Sequence, residues 1–357
     1  MNRDAALISS RPVFEINGQP QPELAAQLLA LDIRDEATGL ARCEAEFGNW
    51  GLADGQVGFR YFDRRVLEFG HSFSVKLGED LLFEGRILGL QARFGEGTPP
   101  TLRVLADDRL QDLRMTRRTR SFAELSDADL ARRIASEHGL SPQIDVAGPT
   151  HRHLAQLNQS DLAFLHERAR AIDAELWVQG SELHFKSRLE RSSREAGRLT
   201  LAWGRSLRRF DVTADLAQQR TEVAASGWDV GAKQAVRATA GAGVLGAELG
   251  SDDSGIAILQ QSLGARSETL AHAGAPGEAE ARALAEAALR LAARRFVRGQ
   301  GTAEPQARLR VGTALTLEGL GALFSGRYVA TSVHHRFDTH HGLRTDFEAE
   351  RPGIGRA

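Results

Sequence analysis

The chain has 357 residues, of which 42% are hydrophobic and 26% charged, a length and balance that predict two or more folded domains. Its 45 basic and 47 acidic residues nearly cancel, so no global field favours nucleic acid or an anionic membrane as a partner. The single cysteine, Cys43, excludes an internal disulfide framework and a zinc site built from several thiolates.

The N-terminus and the rest of the chain lack the apolar runs of targeting and membrane segments. Residues 1–14 include Asp4 and Arg11 and contain no apolar core of signal-peptide length. No later run reaches about 18 apolar residues, the length that a membrane-spanning helix needs. We therefore expect a protein that is made in the cytoplasm and does not insert directly into a membrane.

Residues 1–109 predict a first β-barrel. Apolar and polar residues alternate in short runs between Pro12 and Ala106, and glycines separate these runs. A period of two is typical of strands with one buried face. One short helix, around Pro22 to Leu31, is expected to interrupt the strands.

Residues 110–205 predict an inserted α/β module. Ser126 and Ser160 are each followed by apolar residues at helical spacing, so we expect them to cap the N-termini of two helices. Gly139 is expected to end the first of these helices. Apolar runs on both sides of residues 179–181 predict a β-hairpin.

Residues 206–357 predict a second β-barrel with two additions. The tract 231–277 is rich in Gly, Ala and Ser and predicts a mobile or irregular excursion. Residues 278–298 place apolar side chains on one arc and charged ones opposite, which predicts an amphipathic helix. The fold class that we expect is therefore mainly β, with an α/β insertion.

The chain contains an internal repeat, because residues 69–109 resemble residues 311–351. The offset between matching residues stays between 241 and 243. In each copy an aromatic residue precedes a strand glycine by two positions, which suits a sharply coiled barrel strand. We therefore expect two copies of one barrel and assign structural and assembly roles to the matching residues. These are Gly70, Phe83, Gly85, Arg86, Gly312, Phe324, Gly326 and Arg327.

Several segments resemble the phage late control protein D family, which includes the hub of phage baseplates and the hub portion of VgrG-type spikes of contractile injection systems. The most specific is the run Gln156–Leu165, Gln-Leu-Asn-Gln-Ser-Asp-Leu-Ala-Phe-Leu. The others are Phe47–Trp50, Leu67–Gly70, Phe83–Ile87, Val104–Leu110, Arg117–Arg120, Ala174–Trp177 and Phe324–Val329. Together these segments span nearly the whole chain.

The resemblance implies a trimeric hub, in which two barrels per subunit build a ring of six that joins a six-fold tail tube to a three-fold spike. Only six residues follow Arg351, so the spike domains of fused family members are expected on a separate spike protein. The implied partners are two further copies of this chain, the spike, the tail tube protein and other baseplate proteins. The implied role is structural, in an assembled phage tail or injection particle.

Patterns that would indicate catalysis or a cofactor are weak. Neither Gly-x-Ser-x-Gly nor His-Glu-x-x-His occurs. The glycines of residues 241–246 match a dinucleotide fingerprint, but without a convincing preceding strand or following helix start we favour loop glycines. Cys43 is expected to pack as a small apolar residue. We therefore expect no enzymatic activity and no cofactor.

Histidines and arginines cluster without completing a recognisable site. The clusters are His151 with His153, His334 with His335, His340 with His341, and Arg114, Arg117, Arg118 and Arg120. Adjacent histidines in a strand point to opposite faces, which favours solvated or interface histidines over a metal site. Few aromatic residues accompany the arginines, which favours a solvated face or an acidic protein neighbour over nucleic acid.

Two alternative functions remain open. A tail-tip protein that degrades the cell wall would need a catalytic acid pair or triad in an appended domain, and we expect no residues to be left over for one. The segment from Leu110 to Arg191 is alternatively a peptidoglycan-binding domain, because its two helices and hairpin resemble a lysin motif.

Overall fold

The computed structural model describes residues 11–53, 55–194 and 198–356, and strands make up most of the regular structure. The mainly β class with an α/β insertion is therefore confirmed. The buried apolar side chains form four separate cores: one in each of two barrels, one in the α/β module, and one in a smaller domain inserted into the second barrel. The first ten residues of the predicted first barrel lie outside the described residues.

The first barrel is an antiparallel sheet wrapped around an aromatic core. Its strands are β1 (Val13–Ile16), β2 (Gln19–Pro20), β3 (Leu28–Glu36), β4 (Arg42–Gly48), β7 (Ser72–Leu77), β8 (Asp80–Arg93) and β9 (Thr101–Asp107), in the order β3-β4-β9-β8-β7-β1-β2. Helix α1 (Pro22–Gln27) and the hairpin β5 (Trp50–Ala53) and β6 (Gln56–Phe59) are attached to it. Helix α1 ends four residues earlier than expected, because Leu28, Leu31 and Ile33 enter the barrel core as residues of β3.

The α/β module has the two predicted helices and the predicted hairpin. Its elements are α2 (Leu110–Arg114), β10 (Arg117–Ser126), α3 (Asp127–Glu137), β11 (Ser141–Asp145), β12 (Thr150–Ser160), α4 (Asp161–Ala171), β13 (Ala174–Gln179), β14 (Glu182–Ser187) and α5 (Arg188–Arg194). The Ser126 hydroxyl accepts a hydrogen bond from the Asp129 N–H and the Ser160 hydroxyl from the Ala163 N–H, both at 3.2 Å. These contacts are N-caps of the expected kind.

The second barrel contains one strand more than the predicted boundary at residue 205 allows. Its strands are β15 (Arg198–Ala202), β16 (Leu207–Ala214), β21 (Val297–Ala303), β22 (Ala314–Glu318), β23 (Gly326–Asp338) and β24 (Gly342–Arg351), in the order β16-β21-β24-β23-β22-β15, with the short helix α8 (Gly321–Phe324) between β22 and β23. Strand β15 pairs with β22 and places Leu199 and Leu201 in the core of this barrel. The inserted module therefore ends before residue 198.

The Gly/Ala-rich tract 231–277 forms regular structure, so the expectation of an irregular excursion is wrong. Strand β17 (Glu222–Asp229) lies between β18 (Gln234–Gly241) and β20 (Ser267–Ala275), and α7 (Glu278–Arg294) packs on this sheet. The 3-10 helix Ala242–Glu248, β19 (Asp253–Ser254), α6 (Gly255–Leu263) and β25 (Gly353–Ile354) complete this inserted domain. Its core is built largely from alanines of the sheet and of α7, whose small side chains allow close packing but resemble low complexity in the sequence.

The two barrels repeat the same backbone. Strands β3-β4-β9-β8-β7 and β16-β21-β24-β23-β22 have the same chain order, and all neighbours are antiparallel. Their bulges also match, between Ile87 and Gly89 in β8 and between Ala330 and Ser332 in β23, at a constant offset of 243. The outermost strand differs, because β1 is antiparallel to β7 whereas β15 is parallel to β22.

Gly70 and Gly312 occupy equivalent turns, as the repeat predicts. Both residues have φ near +80°, a conformation that favours glycine. The Gly70 N–H donates to the Ile87 carbonyl and the Gly312 N–H to the Ala330 carbonyl, both at 2.8 Å. The two turns therefore lead into β7 and β22 with the same backbone geometry.

Gly85 and Gly326 are not equivalent, which corrects the alignment of the Phe-x-Gly-Arg motifs. Gly85 lies inside β8 opposite Phe73, and the corresponding pair in the second barrel is Tyr328 opposite Leu315. Gly326 is the first residue of β23 and has φ +135°. The alignment of the two Phe-x-Gly-Arg motifs therefore differs by two residues from the alignment of the two backbones. The difference arises where α8 lengthens the connection between β22 and β23.

We expect Gly85→Ala to destabilise the first barrel by about 1–3 kcal/mol, the cost of overpacking a core. A Cβ at this position would lie 2.3 Å from the Asp107 carbonyl oxygen and 2.6 Å from the Phe83 ring. Urea denaturation measures the loss. The matched control is Gly58→Ala in β6, where a Cβ meets nothing within 4 Å, and its stability should change by less than about 0.5 kcal/mol. Equal stabilities of the two variants would contradict the proposed close approach.

We expect His335 to make the protein less stable as the pH falls from about 6.5 towards 4. Burial, aided by Arg310, lowers the pKa of His335 to about 3, so below the ordinary value of about 6.5 the unfolded chain binds a proton that the folded chain does not. Asp108 acts oppositely, because burial raises its pKa to about 7. The test therefore compares variants: His335→Gln should flatten the decline in stability, whereas the exposed-turn variant His340→Gln should retain it. An unchanged slope in His335→Gln would refute this assignment.

Candidate functional site

The two barrels are joined edge to edge by one pair of strands. Residues Ser332–Asp338 of β23 pair antiparallel with Ala30–Glu36 of β3, on the edge of β23 that β22 leaves free beyond Val329. Apolar side chains from both strands are buried at this junction: Leu31 and Ile33 from β3, Val333 and Phe337 from β23. Backbone pairing therefore makes one continuous sheet from two domains, and Phe337 of the second barrel packs into the core of the first.

Eight strands of this sheet present one uninterrupted polar face. Their order is β16-β21-β24-β23-β3-β4-β9-β8, and residues directly opposite one another in neighbouring strands share a face. The residues of this polar face include Arg209, Asp211, Gln300, Thr302, Asp346, Glu348, His334, Arg336, Asp32, Arg34, Glu44, Glu46, Arg103, Thr101, Gln91 and Arg93. The opposite face carries the barrel cores.

Most charges on the polar face are paired within it. Arg34 contacts Asp32 at 2.8 Å, and the imidazole of His334 lies 2.6 Å from the same carboxylate. Partial burial opposes ionisation of Asp32, but hydrogen bonds with His334 and Arg34 hold its pKa below the usual value. Arg103 contacts Glu46 at 2.8 Å and likewise lowers the pKa of Glu46 against a burial effect. The face therefore carries both signs of charge in close alternation.

The continuous sheet ends in two open edges. Strand β16 pairs with β21 on one side, and among the described residues no strand pairs with its other side. Strand β8 pairs with β9 along its second half, while β7 reaches only as far as Arg86 on the other side. Unpaired edges of this kind are templates for pairing with another strand.

Open edge β8 also carries an exposed aromatic cluster. Phe94 packs edge-on against Phe59 and at a tilt against Phe62, with ring centroids 6.1 Å and 5.7 Å apart, and the ring centroids of Trp50 and Phe59 are 5.2 Å apart. Trp50, Phe59 and Phe94 are exposed to solvent. Clustered exposed apolar side chains mark a surface that another molecule covers.

The eight residues assigned to assembly are spread over two regions. In the first barrel Phe83 and Gly85 are buried, and Arg86 is exposed opposite Asp107, with its guanidinium 3.2 Å from Asp112. In the second barrel Phe324, Gly326 and Arg327 lie where α8 meets β23, and Gly312 precedes β22. Gly70 precedes β7. Their role in assembly remains a prediction.

The junction itself was missed in the sequence. Part of β3 was assigned to the predicted helix, although Leu31 and Ile33 alternate with Asp32 and Arg34, which is a strand signal. No local pattern indicates that β3 pairs with β23, because the two strands lie about 300 residues apart in the chain.

The histidine and arginine clusters form internal polar contacts. His151 is buried, with Nε2 3.0 Å from Asp127, and Arg168 contacts the same carboxylate at 2.6 Å. Arg120 contacts Asp161 at 2.8 Å and Arg118 contacts it at 3.3 Å, so the expected acidic neighbour belongs to this chain. Within residues 11–53, 55–194 and 198–356, no group of three or more His, Cys, Asp or Glu residues is placed to hold a metal ion.

The glycines of residues 241–246 follow a strand, contrary to the expectation that none precedes them. Strand β18 ends at Gly241, and the next element is the 3-10 helix Ala242–Glu248, which is kinked at Gly246 with φ +42°. An α-helix N-terminus, which a dinucleotide fingerprint places under the phosphates, does not follow these glycines. Cys43 is buried in the first barrel, as expected, and burial raises the pKa of its thiol.

The fold is that of solved phage tail proteins. The 43-kDa tail protein of prophage MuSo2 from Shewanella oneidensis has a TM-score of 0.69 and 11% identity, over 96% of this chain and 98% of that chain. A tail protein from Neisseria meningitidis MC58 has a TM-score of 0.66 and 12% identity, over 97% of each chain. An Escherichia coli type VI secretion component, described as similar to the T4 tail proteins gp27 and gp5, has a TM-score of 0.61 and 12% identity, over 96% of this chain and 79% of that chain.

Comparison of the sequence with family models gives one match, whereas comparison with curated proteins gives none. No curated protein matches the chain. Membership in the late control protein D family is not confirmed by these comparisons, which show a shared fold alone. In the described part of the chain no helix is long and apolar enough to cross a membrane. The family model described as the Alg8 N-terminal domain matches residues 25–339, most of the sequence, and the chain therefore belongs to the family of the Alg8 N-terminal domain.

Proposed function

We propose that this protein is the structural hub of a contractile phage tail or phage-tail-like injection particle. One observation carries the proposal: a single chain contains two barrels with matching strand order and matching bulges, joined edge to edge in one sheet. The fold shared with phage tail proteins and a type VI secretion component supports this role.

Symmetry explains why a hub benefits from a duplicated barrel. A closed homo-oligomer offers as many equivalent surfaces as it has subunits, unless each subunit carries the surface twice. Three copies of this chain provide six related barrels, which suit a six-fold tail tube. The α/β module and the inserted domain occur once per chain and therefore three times per ring, which suits a three-fold spike.

The partners under this proposal are two further copies of the chain, a tail tube protein, a separate spike protein and other baseplate proteins. The polar face suits the wall of a channel through the ring. Its charges are paired with one another, for example Arg103 with Glu46, so a passing protein meets a hydrated surface without a strong field of one sign.

We expect three chains in the complex of this protein with its spike. Native mass spectrometry of the complex, isolated from cells that express the complete gene cluster, should give three 38.8-kDa chains per spike trimer. The isolated chain is a poor test, because the ring closes only on its spike under this proposal. A hub of two, four or six chains would rule out the symmetry argument.

The second candidate function is cell-wall binding or degradation at the tail tip. The hub proposal predicts that the purified chain neither sediments with purified sacculi nor releases soluble fragments from them. An active muramidase and a lysin-motif protein serve as positive controls. Sedimentation of this protein with sacculi, lost on deletion of residues 110–194, would favour the cell-wall-binding alternative.

A further inference from the structure

We infer that Arg310, bound to the backbone carbonyls of Leu81 and Leu82, is a latch that limits the tilt of one barrel against the other within a single chain. The β3–β23 pairing sets how the barrels face each other, and the latch ties them together a second time, away from this pairing. Its purpose rests on the hub proposed above, because two related barrels serve a six-fold tube only when they keep one relative orientation.

The latch starts from a connection that belongs to the second barrel. Residues 304–313 join β21 to β22, and Leu309 and Val311 are buried in the core of that barrel. The hydroxyl of the fully buried Thr313 accepts a hydrogen bond from the Arg310 N–H at 3.0 Å. The backbone at Arg310 is therefore held in place by the second barrel.

The same connection also reaches the first barrel. Ala307 is part of the core of the first barrel. The Arg310 guanidinium donates to the carbonyls of Leu81 and Leu82 in β8, at 2.5 Å in the case of Leu82. The apolar contact of Ala307 is non-directional, whereas two hydrogen bonds from one planar guanidinium fix both distance and direction. Arg310 is therefore the contact that can hold an angle.

A β-bulge in β8 provides the two acceptors. Lys76 of β7 pairs with Leu81 and Val75 pairs with Phe83, which leaves Leu82 without a residue opposite it in β7. Successive carbonyls of a regular strand point to opposite edges, and a bulge changes the direction of part of the backbone. The bulge thus accounts for two successive carbonyls that face one guanidinium. The equivalent β22–β23 pairing is regular, so the barrel fold itself does not require this bulge.

One strand pair by itself leaves the angle between the barrels adjustable. Neighbouring strands in protein sheets are rotated against each other by about −10° to −35°, so a single pair permits a range of about 25°. The rotation turns one barrel against the other about an axis that runs across the strands. Points far from the junction along the strand direction therefore move most.

The latch lies at such a distant point. The middle pair of the junction is His335 with Ile33, and the pairing of β3, β4, β9 and β8 places Ile87 at the same level. Leu82 precedes Ile87 by five residues, which is about 17 Å along the strand. A rotation of about 25° would move it by about 7 Å, whereas hydrogen-bond distances vary by only about 0.5 Å. Intact bonds from Arg310 thus restrict the rotation to a small part of this range.

The surroundings of the latch leave room for the movement that it prevents. A cavity of about 880 Å³ lies between the first barrel, the hairpin β13–β14 and the connection, and its lining includes Leu81, Phe83, Val178 and Arg310. Side-chain packing on this side therefore does not hold the angle between the barrels. The directional contact of Arg310 does.

Distance measurement between the barrels tests the latch. Nitroxide labels on Glu79→Cys in the β7–β8 turn and Glu318→Cys at the end of β22 would be attached to exposed positions of the full chain, while the native Cys43 is buried. Double electron–electron resonance should give one narrow distance distribution when Arg310 is present. Arg310→Met should widen or shift this distribution by about 5 Å or more.

Two further variants make the test specific. Arg308→Met removes an exposed guanidinium from the same connection and should leave the distribution unchanged. Arg310→Lys keeps the charge, but an ammonium lacks the planar fork that holds two carbonyls, so the distribution should widen to an intermediate extent. If Arg310→Met does not fold, as judged by circular dichroism, the comparison of Arg310→Lys with Arg308→Met decides. Distributions of folded Arg310 variants that equal the wild-type distribution overturn the latch.

The purpose of the latch is tested separately from its existence. Native mass spectrometry of the hub–spike complex should show about tenfold less complex for Arg310→Met than for Arg308→Met. A full yield of complex from a variant with a widened distribution overturns the role of the latch in the hub. A wild-type complex without three chains overturns the hub itself and leaves the latch within the chain intact.

Discussion

The pairing of β3 with β23 is the constraint on which the arrangement of this molecule depends. Seven consecutive residue pairs join the two barrels, and this backbone pairing sets the orientation of one barrel relative to the other. Because side chains alternate between faces along a strand, this single register decides which side chains of eight strands face the core and which face solvent. The continuity of the polar face across both barrels is a consequence of it.

Buried ion pairs join the two additional domains to each other and the α/β module to this sheet. Arg294 of α7 contacts Glu248 of the inserted domain and Asp173 of the α/β module, and it is almost fully buried. Arg188 of the module contacts Glu350 of β24 at 2.5 Å. Removing one partner of such a pair leaves an uncompensated buried charge, which costs about 3–5 kcal/mol. Separating the α/β module from the second barrel or from the inserted domain would therefore expose such unpaired charges.

Local signals made part of this structure predictable from the sequence. Ser126 and Ser160 cap helices in the structure as predicted, because each hydroxyl accepts a hydrogen bond from a backbone N–H three residues later. This interaction is local and does not depend on the tertiary fold. The regular structure of residues 231–277 is not predictable from local pattern, because its alanines give no amphipathic contrast although they pack a core. The prediction that Gly85 is equivalent to Gly326 is wrong. The matching bulges show that strands β8 and β23 keep the same register, whereas the turns that precede these strands differ in length.

The candidate site was less predictable than the fold. A junction between strands about 300 residues apart depends on tertiary pairing. No local sequence pattern predicts that Asp32 contacts His334. The repeat did indicate that two related barrels exist. It did not indicate that β8 and β16 each leave an edge unpaired within the described residues, because exposure of an edge is a property of the whole sheet.

The open edges also bear on how the protein behaves in concentrated solution. With a formal net charge of −2, the chain has almost no long-range repulsion to keep copies apart, and the unpaired edges of β8 and β16 are open to pairing with other strands. Exposed edges without electrostatic repulsion favour irregular association of copies at high concentration. The solubility of this protein in a heterologous host therefore depends on whether these edges are covered more than on the stability of either barrel.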